Sequence, residues 1–526
     1  MISNERLQKL PGWIRRIIVF LTARKVPYRL VFILLSILAT VWFLFRVIPK
    51  PSRAAYPCMK VAAPVMSGFV IWLLSLSGTV MAFRKAKSKL LEAKYIAAFL
   101  FLVTALVSAF VFSYKTVSDS KAGEFKTWYK TNIPLGEARG IIPGSVAWVH
   151  NPNIASWDGK TGFWWEDTHN NQKEVDKLLA ESLFRITGTN SGKEAWNSLF
   201  TYYNKTNRNK KQGYTAGEKV AVKINMNNTD SHASSNRINA NPQLVLSLLA
   251  SLINEGGVAQ ENITVSDPSR FITDNIYVKC HAVFPKVMFE DHNGGDGRQK
   301  AAFVENGFLY SFDFKGQTHG LAASFANADY IINLALLKGH VTQGVTLSSK
   351  NFFGCVDIET DWRKNAHGGG FSQSREGKRQ YSVYPDFIGH KNLGAKTILY
   401  LVDGIYGNKF VDGVPEFKWK LAPFDNNWPN SLFASQDPVA IESVALDFAL
   451  SEWPDAPDMM YSDYAMEEMA LANNPPSGVV YDPERDGTPL KSLGVTEHWN
   501  NPAEKKYSRN LGKNKGIELL YFEVKK

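Results

Sequence analysis

Cysteine is nearly absent from this chain of 526 residues, which contains only Cys58, Cys280 and Cys355. No two of them form a CxxC pair, so the sequence carries no ligand pattern of an iron–sulfur cluster or a zinc finger. We therefore expect no internal iron–sulfur cluster. A disulfide between Cys280 and Cys355 is one option in an exported domain, and two buried free thiols are the other.

Two common catalytic motifs are also missing. The chain contains no GxSxG sequence, which excludes the nucleophile elbow of the α/β-hydrolases. Residues 188–193 resemble a phosphate-binding loop, but only three residues separate Gly188 from Gly192, and Glu194 stands where that loop requires Ser or Thr. We interpret this segment as a turn between two helices.

Acidic residues are scarce at one end of the chain. Residues 1–115 hold 17 Lys or Arg and 2 Asp or Glu, a net charge of +15, whereas the whole chain carries +11. The other 411 residues therefore carry −4, the difference between those two charges. Because the basic excess is confined to the first 115 residues and the rest is mildly acidic, a nucleic-acid partner is excluded at this level.

Long apolar runs occur only in that basic part. Residues 29–48, 61–83 and 95–114 are each long enough to cross a hydrocarbon core of roughly 30 Å, and Lys or Arg residues flank them. They predict an all-α membrane anchor of three transmembrane helices over residues 1–115, with the lipid bilayer as partner. The basic tail and second loop place the N-terminus in the cytoplasm and the C-terminal part outside it, in the periplasm if the cell has one.

The remainder alternates between strand-like and helical patterns, which predicts an α/β fold with a mixed or parallel sheet flanked by helices. Residues 116–213 read as a linker and a helical N-terminal extension, and residues 214–526 as the α/β domain. Residues 141–165 are rich in Gly, Pro, Asn and Trp, and we expect them to form an irregular surface loop.

The stretch 328–355 carries the strongest functional signal. An apolar run from Tyr330 to Leu337 ends abruptly in polar residues, and within one loop and one helix the chain presents Lys338, His340, Lys350 and Asn351. A buried strand that delivers polar groups to its carboxyl end is typical of the binding sites of open α/β sheets.

Polar residues also follow the other predicted strands. Lys223 and Asn225 share one face of a strand end, since they are two residues apart. The other strand ends and the start of the last long helix contribute Asp267, Arg270, Asp403 and Asp437.

Five ordered blocks resemble a known family. They are Lys223-Ile-Asn225, Ile331-Ile-Asn-Leu with Lys338-Gly-His340, Lys350-Asn-Phe-Phe-Gly354, Leu401-Val-Asp-Gly404 and Ser435-Gln-Asp-Pro-Val-Ala440. Together they are similar to the DUF362 family, a domain of unknown function, over about residues 214–450. Some relatives carry ferredoxin-like modules, whereas this chain lacks their cysteines. The resemblance supplies no reaction.

Two functional hypotheses from different classes follow. The first is an enzyme acting on an anionic small molecule by acid–base or metal-assisted chemistry. In this hypothesis His340, Lys338 and Asp403 are catalytic, Lys223, Asn225, Lys350, Asn351 and Arg270 bind the anion, and Asp267 and Asp437 hold a divalent metal. The second is a non-catalytic domain that binds a ligand or partner and is tethered to the membrane. Ion pairs that merely close a polar sheet end would leave the same pattern.

Overall fold

The computed structural model describes residues 133–312, 318–340, 343–357, 381–456 and 459–525. The chain divides into two units, Met1–Ala122 and Gly123–Lys526, and the described residues belong to the second. The three predicted transmembrane segments lie outside the described residues. Within the described residues, no helix has the length and apolar character needed to cross a membrane.

Strands and helices alternate along the described chain. The strands are β1 (Leu135–Gly136), β2 (Ser145–His150), β3 (Val220–Lys223), β4 (Ile263–Asp267), β5 (Met288–Asp291), β6 (Gln299–Lys300), β7 (Phe303–Phe308), β8 (His319–Ala322), β9 (Tyr330–His340), β10 (Gly344–Thr346), β11 (Thr397–Asn408), β12 (Ser431–Ser435), β13 (Val495–Thr496) and β14 (Glu518–Glu523). The α-helices are α1 (Gln172–Thr187), α2 (Gly192–Asn207), α3 (Pro242–Asn254), α4 (Asp274–Val283), α5 (Ala323–Ala326), α6 (Ser348–Asn351), α7 (Val383–Gly389), α8 (Pro438–Glu452) and α9 (Asp463–Ala470). Short 3-10 turns lie at Gln260–Asn262, Phe352–Cys355, Gly394–Lys396 and Met459–Tyr461.

Ten of the described strands form one mixed sheet, in the order β14-β2-β12-β11-β9-β3-β4-β5-β6, with β10 paired to β9. The neighbours from β11 to β6 are parallel, whereas β12 runs antiparallel to both β11 and β2. This confirms the predicted α/β fold with a mixed sheet flanked by helices.

The chain order defines a topological switch point in this sheet. From β3 the chain continues to β4 and β5 on one side, while β9 and β11 lie on the other side of β3. Open α/β sheets bind their ligands outside the carboxyl ends of the strands at such a point. The carboxyl ends of β3 and β9 are therefore where a site is expected.

Alternating residues of the central strands fill two cores, one on each face of the sheet. Ile332, Leu334 and Leu336 of β9 face the core shared with α1, α2 and α3. Ile331 and Leu337 face the opposite core, which α8 and α9 complete. Both faces are covered, which is why the parallel strands read as continuous apolar runs rather than alternating ones.

The starts of α3 and α8 use the same chemistry. Asn241 caps α3 by accepting a hydrogen bond from the backbone N–H of Leu244, and Asp437 caps α8 by accepting from Val439 and Ala440. In each helix a proline follows the cap, where its missing N–H costs nothing. The prediction that Asp437 caps a helix is confirmed.

The segment 141–165 differs from the expected surface loop. Ser145–His150 is a fully buried strand, paired with β12 on one side and β14 on the other. Trp157 and Trp164 are also buried, against the core of α1 to α3. The loop prediction was wrong here because a run of six residues surrounded by turn formers does not distinguish a core strand from a loop.

Candidate functional site

The three strands next to the switch point each carry a charged residue near the carboxyl end. Lys223 ends β3, Asp267 ends β4, and Lys338 lies two residues before the end of β9. Lys223 pairs in register with Asn333, so Lys338 lies five residues further along β9. Because β3, β4 and β9 are parallel neighbours, their carboxyl ends lie at the same edge of the sheet. All three residues are buried.

Lys223 and Asp267 form a buried ion pair. Lys223 Nζ lies 3.2 Å from Asp267 Oδ2. It also donates hydrogen bonds to the carbonyl of Ile224 at 2.6 Å and to Asn351 Oδ1 at 3.2 Å. These contacts account for all three N–H donors of the ammonium. Lys223 therefore positions its neighbours and keeps no donor for an added ligand.

Asp267 is also occupied on both of its oxygens. Oδ2 accepts a hydrogen bond from the backbone N–H of Met226 at 2.8 Å, and Oδ1 accepts from the hydroxyl of Ser269 at 3.1 Å. The carboxylate thus holds the ends of β3 and β4 together. Among the described residues, no group of three or more His, Cys, Asp or Glu is arranged to hold a metal ion.

Asn351 joins α6 to the sheet. Its Oδ1 accepts from Lys223 and from Asn225 Nδ2 at 3.2 Å, while its Nδ2 donates to Asn333 Oδ1 at 2.8 Å. Asn333 in turn donates to the carbonyl of Ser348 at 2.9 Å. This amide network is buried and fixes α6 over the switch point.

The surroundings of Gly354 explain why the Lys-Asn-Phe-Phe-Gly block ends in glycine. A Cβ at this position would lie 2.6 Å from Asp267 Oδ1 and 3.0 Å from Lys223 Nζ. Only glycine lets the chain pass so closely over the ion pair.

Lys338 differs from Lys223. Its Nζ is buried and has no hydrogen-bond partner among the described residues. Burial lowers the pKa of its ammonium to about 7, against the opposing effect of the carboxylates of Asp412 and Asp267. Arg270 and Arg237 lower this pKa further, by repulsion. Lys338 is thus a buried amine that changes charge near neutral pH.

Two arginines lie in the surroundings of Lys338. Arg237 forms ion pairs with Asp412 and Asp230, and its charge is balanced there. Arg270 donates to the carbonyls of Asn227 at 3.0 Å and Ser269 at 2.9 Å. Among the described residues, Arg270 has no carboxylate partner.

Two of the predicted residues lie at the margin of this cluster. His340 follows Lys338 by two residues on β9, is partly exposed, and accepts on Nδ1 from the backbone N–H of Gln343 at 3.2 Å. The ammonium of Lys350 lies 3.8 Å from the centre of the Phe353 ring.

Asp403 has a positioning role on another element. Its carboxylate accepts hydrogen bonds from the backbone N–H groups of Asn241 at 3.0 Å and Ile405 at 3.1 Å. Burial raises its pKa to about 6. It therefore ties the start of α3 to β11.

Asp437 is not brought together with the other predicted residues. It follows Ser435, which pairs with Tyr400 near the amino end of β11, whereas Lys338 pairs with Asn408 at the carboxyl end. Eight residues of strand span roughly 25 Å. Asp437 caps α8 and also accepts from the backbone N–H of Arg139 at 2.9 Å.

The sequence predicts no site role for three residues of this region. Asn333 interrupts the apolar run of β9, and a polar residue inside a buried strand is a signal that could have identified it. Arg237 and Asp412 come from two distant loops, and no local pattern marks either of them.

Both cysteines of the described domain are free and buried. Burial raises the pKa of the thiols of Cys280 and Cys355 well above the usual value. Neither is a reactive thiolate at neutral pH.

Comparison with known proteins gives one family. A model described as a domain of unknown function, DUF362, matches residues 220–447. The match supports the resemblance seen in the five sequence blocks. Lys223, Asp267, Lys338 and Asn351 all lie within the matched residues. Neither curated proteins nor solved structures give a significant match.

Proposed function

We propose that this domain binds an anionic small molecule at the carboxyl ends of β3, β4 and β9, and acts on it with Lys338 as general acid–base. The observation that carries the proposal is the buried Lys338 Nζ, which has no hydrogen-bond partner among the described residues. A buried ammonium without an acceptor is costly, and such groups are kept where they serve chemistry.

The protonation of Lys338 supports this role. A pKa of about 7 leaves comparable amounts of amine and ammonium at neutral pH. An acid–base group is most effective when its pKa lies near the working pH. His340, further along the same strand, is the second acid–base candidate.

Arg270 supports recognition of an anion. Its guanidinium acts on Lys338 and has only backbone carbonyls as partners among the described residues. An anion placed between Arg270 and Lys338 would be stabilised by both charges. Asp267 and Lys223 would hold the strand ends that carry these residues.

Anion binding is tested on the full-length protein. Thermal unfolding is followed with phosphate, carboxylates and 2-oxo acids, each at several concentrations. We expect one class to raise the melting temperature of the wild type, and Arg270→Gln to abolish that shift. The matched control Arg185→Gln, which changes an exposed i,i+4 pair on α1, should keep it. A shift that survives Arg270→Gln would refute the proposed anion site.

The alternative is a non-catalytic binding domain. The stacked pair of Phe163 and Trp165, with ring centroids 5.0 Å apart and Phe163 partly exposed, favours contact with a flat ligand surface. The two functions separate in one comparison. If Lys338→Met abolishes conversion of the ligand and keeps the ligand-induced rise in melting temperature, the domain is an enzyme. If the wild type shows that rise and does not convert the ligand, it is a binding domain.

We also propose that residues 1–115 anchor the protein in the cell membrane, with the domain outside the cytoplasm. The support is the three apolar segments and the basic residues of the tail and second loop. Protease added to intact spheroplasts should digest the domain. Protection that is lost only on lysis would overturn this topology.

A further inference from the structure

We propose that Lys338 forms an imine with the carbonyl group of a small anionic substrate, a 2-oxo acid by chemical class. This inference rests on the proposed anion site and deepens it by naming the substrate class. It draws on the position of Lys338, its lack of a hydrogen-bond partner, and the charges around it.

Lys223 and Lys338 differ in the hydrogen bonds that their side-chain nitrogens make. Lys223 uses all of its donors on Ile224, Asn351 and Asp267, so its nitrogen lone pair is not available. Lys338 Nζ makes no hydrogen bond to the described residues, and its surroundings disfavour the charged form. A neutral, desolvated amine is the nucleophilic form of lysine.

The neighbouring charges suit both ends of a 2-oxo acid. The substrate carboxylate would pair with Arg270, which has no carboxylate partner among the described residues. The iminium that forms on Lys338 would be stabilised by the carboxylates of Asp267 and Asp412, which favour positive charge at this nitrogen. Anion binding alone would not require a neutral amine at Lys338.

The covalent step is balanced without any further reagent. The lone pair of Nζ adds to the carbonyl carbon, and the carbonyl oxygen takes up a proton to give a carbinolamine. Loss of that hydroxyl group as water, with one proton, leaves a C=N bond between Nζ and the former carbonyl carbon. The protonated imine then withdraws electrons from the adjacent carbon, which activates a neighbouring C–H or C–C bond.

Reductive trapping tests the inference on the full-length protein. Glyoxylate, pyruvate and 2-oxoglutarate are each added with sodium cyanoborohydride, and adducts are located by peptide mass spectrometry. We expect one adduct, on Lys338, with a trapping rate that is half-maximal near pH 7. At that pH the neutral fraction of Lys338 exceeds that of an ordinary lysine roughly a thousandfold.

Variants separate the site from surface chemistry. Lys338→Arg and Lys338→Met should lose the adduct, whereas Lys177→Met, which changes an exposed lysine paired with Glu174, should keep it. Melting curves of both Lys338 variants show whether they are folded. Glyoxylate is the smallest probe, so its failure to label Lys338 of the wild type, or labelling spread evenly over surface lysines, would overturn the inference.

The same experiment separates this inference from the proposed function. Lactate and succinate lack a reactive ketone, and their stabilising effect reports anion binding alone. A shift with these anions that Arg270→Gln removes, without trapping on Lys338, would leave the anion site standing and reject the imine. Absence of both would reject both.

Discussion

Burial of the Lys338 side chain lowers the free energy of unfolding at neutral pH. Its folded pKa of about 7 lies well below the unfolded value of 10.5, so the unfolded chain binds more protons between these two pH values. Stability therefore rises with pH across that window, and the cost is largest at pH 7 and below. A residue that destabilises the fold and yet lies at the switch point is a candidate for function rather than for structure.

Replacing Lys338 by Met should stabilise the protein while removing its activity. Met keeps most of the volume and carries no charge, so we expect the free energy of unfolding at pH 7 to rise by about 2–4 kcal/mol. The gain should shrink towards zero near pH 10. Urea denaturation at pH 7 and pH 9.5 measures it, with Lys177→Met as the control that should change little. A destabilised Lys338→Met variant would contradict a buried amine whose pKa is lowered in the folded state.

Gly354 tests the packing over the ion pair. In Gly354→Ala the new Cβ would press on Asp267 Oδ1 and Lys223 Nζ, and we expect a loss of about 1–3 kcal/mol in the free energy of unfolding. The loss should be smaller in a Lys223→Met, Asp267→Leu background, where the charged atoms are absent. Equal losses in both backgrounds in urea denaturation would show that the ion pair is not what Gly354 accommodates.

At the scale of elements, α6 depends on a carboxyl group from α8. Glu442 Oε1 accepts a hydrogen bond from the backbone N–H of Ser349, which lies in the first turn of α6. Burial raises the pKa of Glu442 to about 7. Between the unfolded value of 4.5 and pH 7 the folded state binds more protons, so stability falls as pH rises through this window.

Glu442→Gln should remove that pH dependence. The amide oxygen keeps the bond to Ser349, and no charge has to be buried. We expect little change at pH 4.5 and a gain of about 2–3 kcal/mol in the free energy of unfolding at pH 8. Chemical denaturation at both pH values measures this difference, and a gain that is equal at the two would refute a raised pKa for Glu442.

The elements that the sequence predicts are those with a strong local pattern. Apolar spacing and cap residues predict helices over residues 173–186, 193–203 and 242–252. The helices α1, α2 and α3 lie within a few residues of these bounds, because spacing and caps are local signals. The strands β2 and β12 were not predicted, since each is five or six residues long and is identified only by its pairing partners.

The same limit applies to the candidate site. Lys223, Asp267 and Lys338 are recognisable because each stands at the end of an apolar strand. Their place at one edge of the sheet follows from the strand order, which periodicity alone does not give. Asp437 shows the converse, since it also stands next to a strand, but β12 runs antiparallel and carries it to the opposite edge of the sheet.

For the whole molecule, the matched region 220–447 is smaller than the folded unit. Within the described residues, β2 pairs with β12 on one side and with β14 on the other. The strands β2 and β14 both lie outside the match. The helices α1 and α2, which cover one face of the sheet, also precede it.

The C-terminal segment is clamped to the helices of the other face. His498 lies between Asp447 of α8, 2.5 Å from its Oδ1, and Asp463 of α9, 3.2 Å from its Oδ1. The two carboxylates outweigh burial and raise the pKa of His498 well above 6.5. Removal of this segment would leave two buried carboxylates without their cation, which is strongly destabilising.

A fragment confined to residues 220–447 should therefore fail to fold, although it contains the whole candidate site. Without β2, the buried strand β12 becomes an open edge, and without α1 and α2 part of one face of the sheet meets water. We expect the fragment to lack a cooperative unfolding transition in circular dichroism, whereas residues 133–526 should show one. Only the fragment of residues 133–526 should show the anion-induced rise in melting temperature. A cooperative transition of residues 220–447 would mean that the flanking strands are accessory to the core rather than part of it.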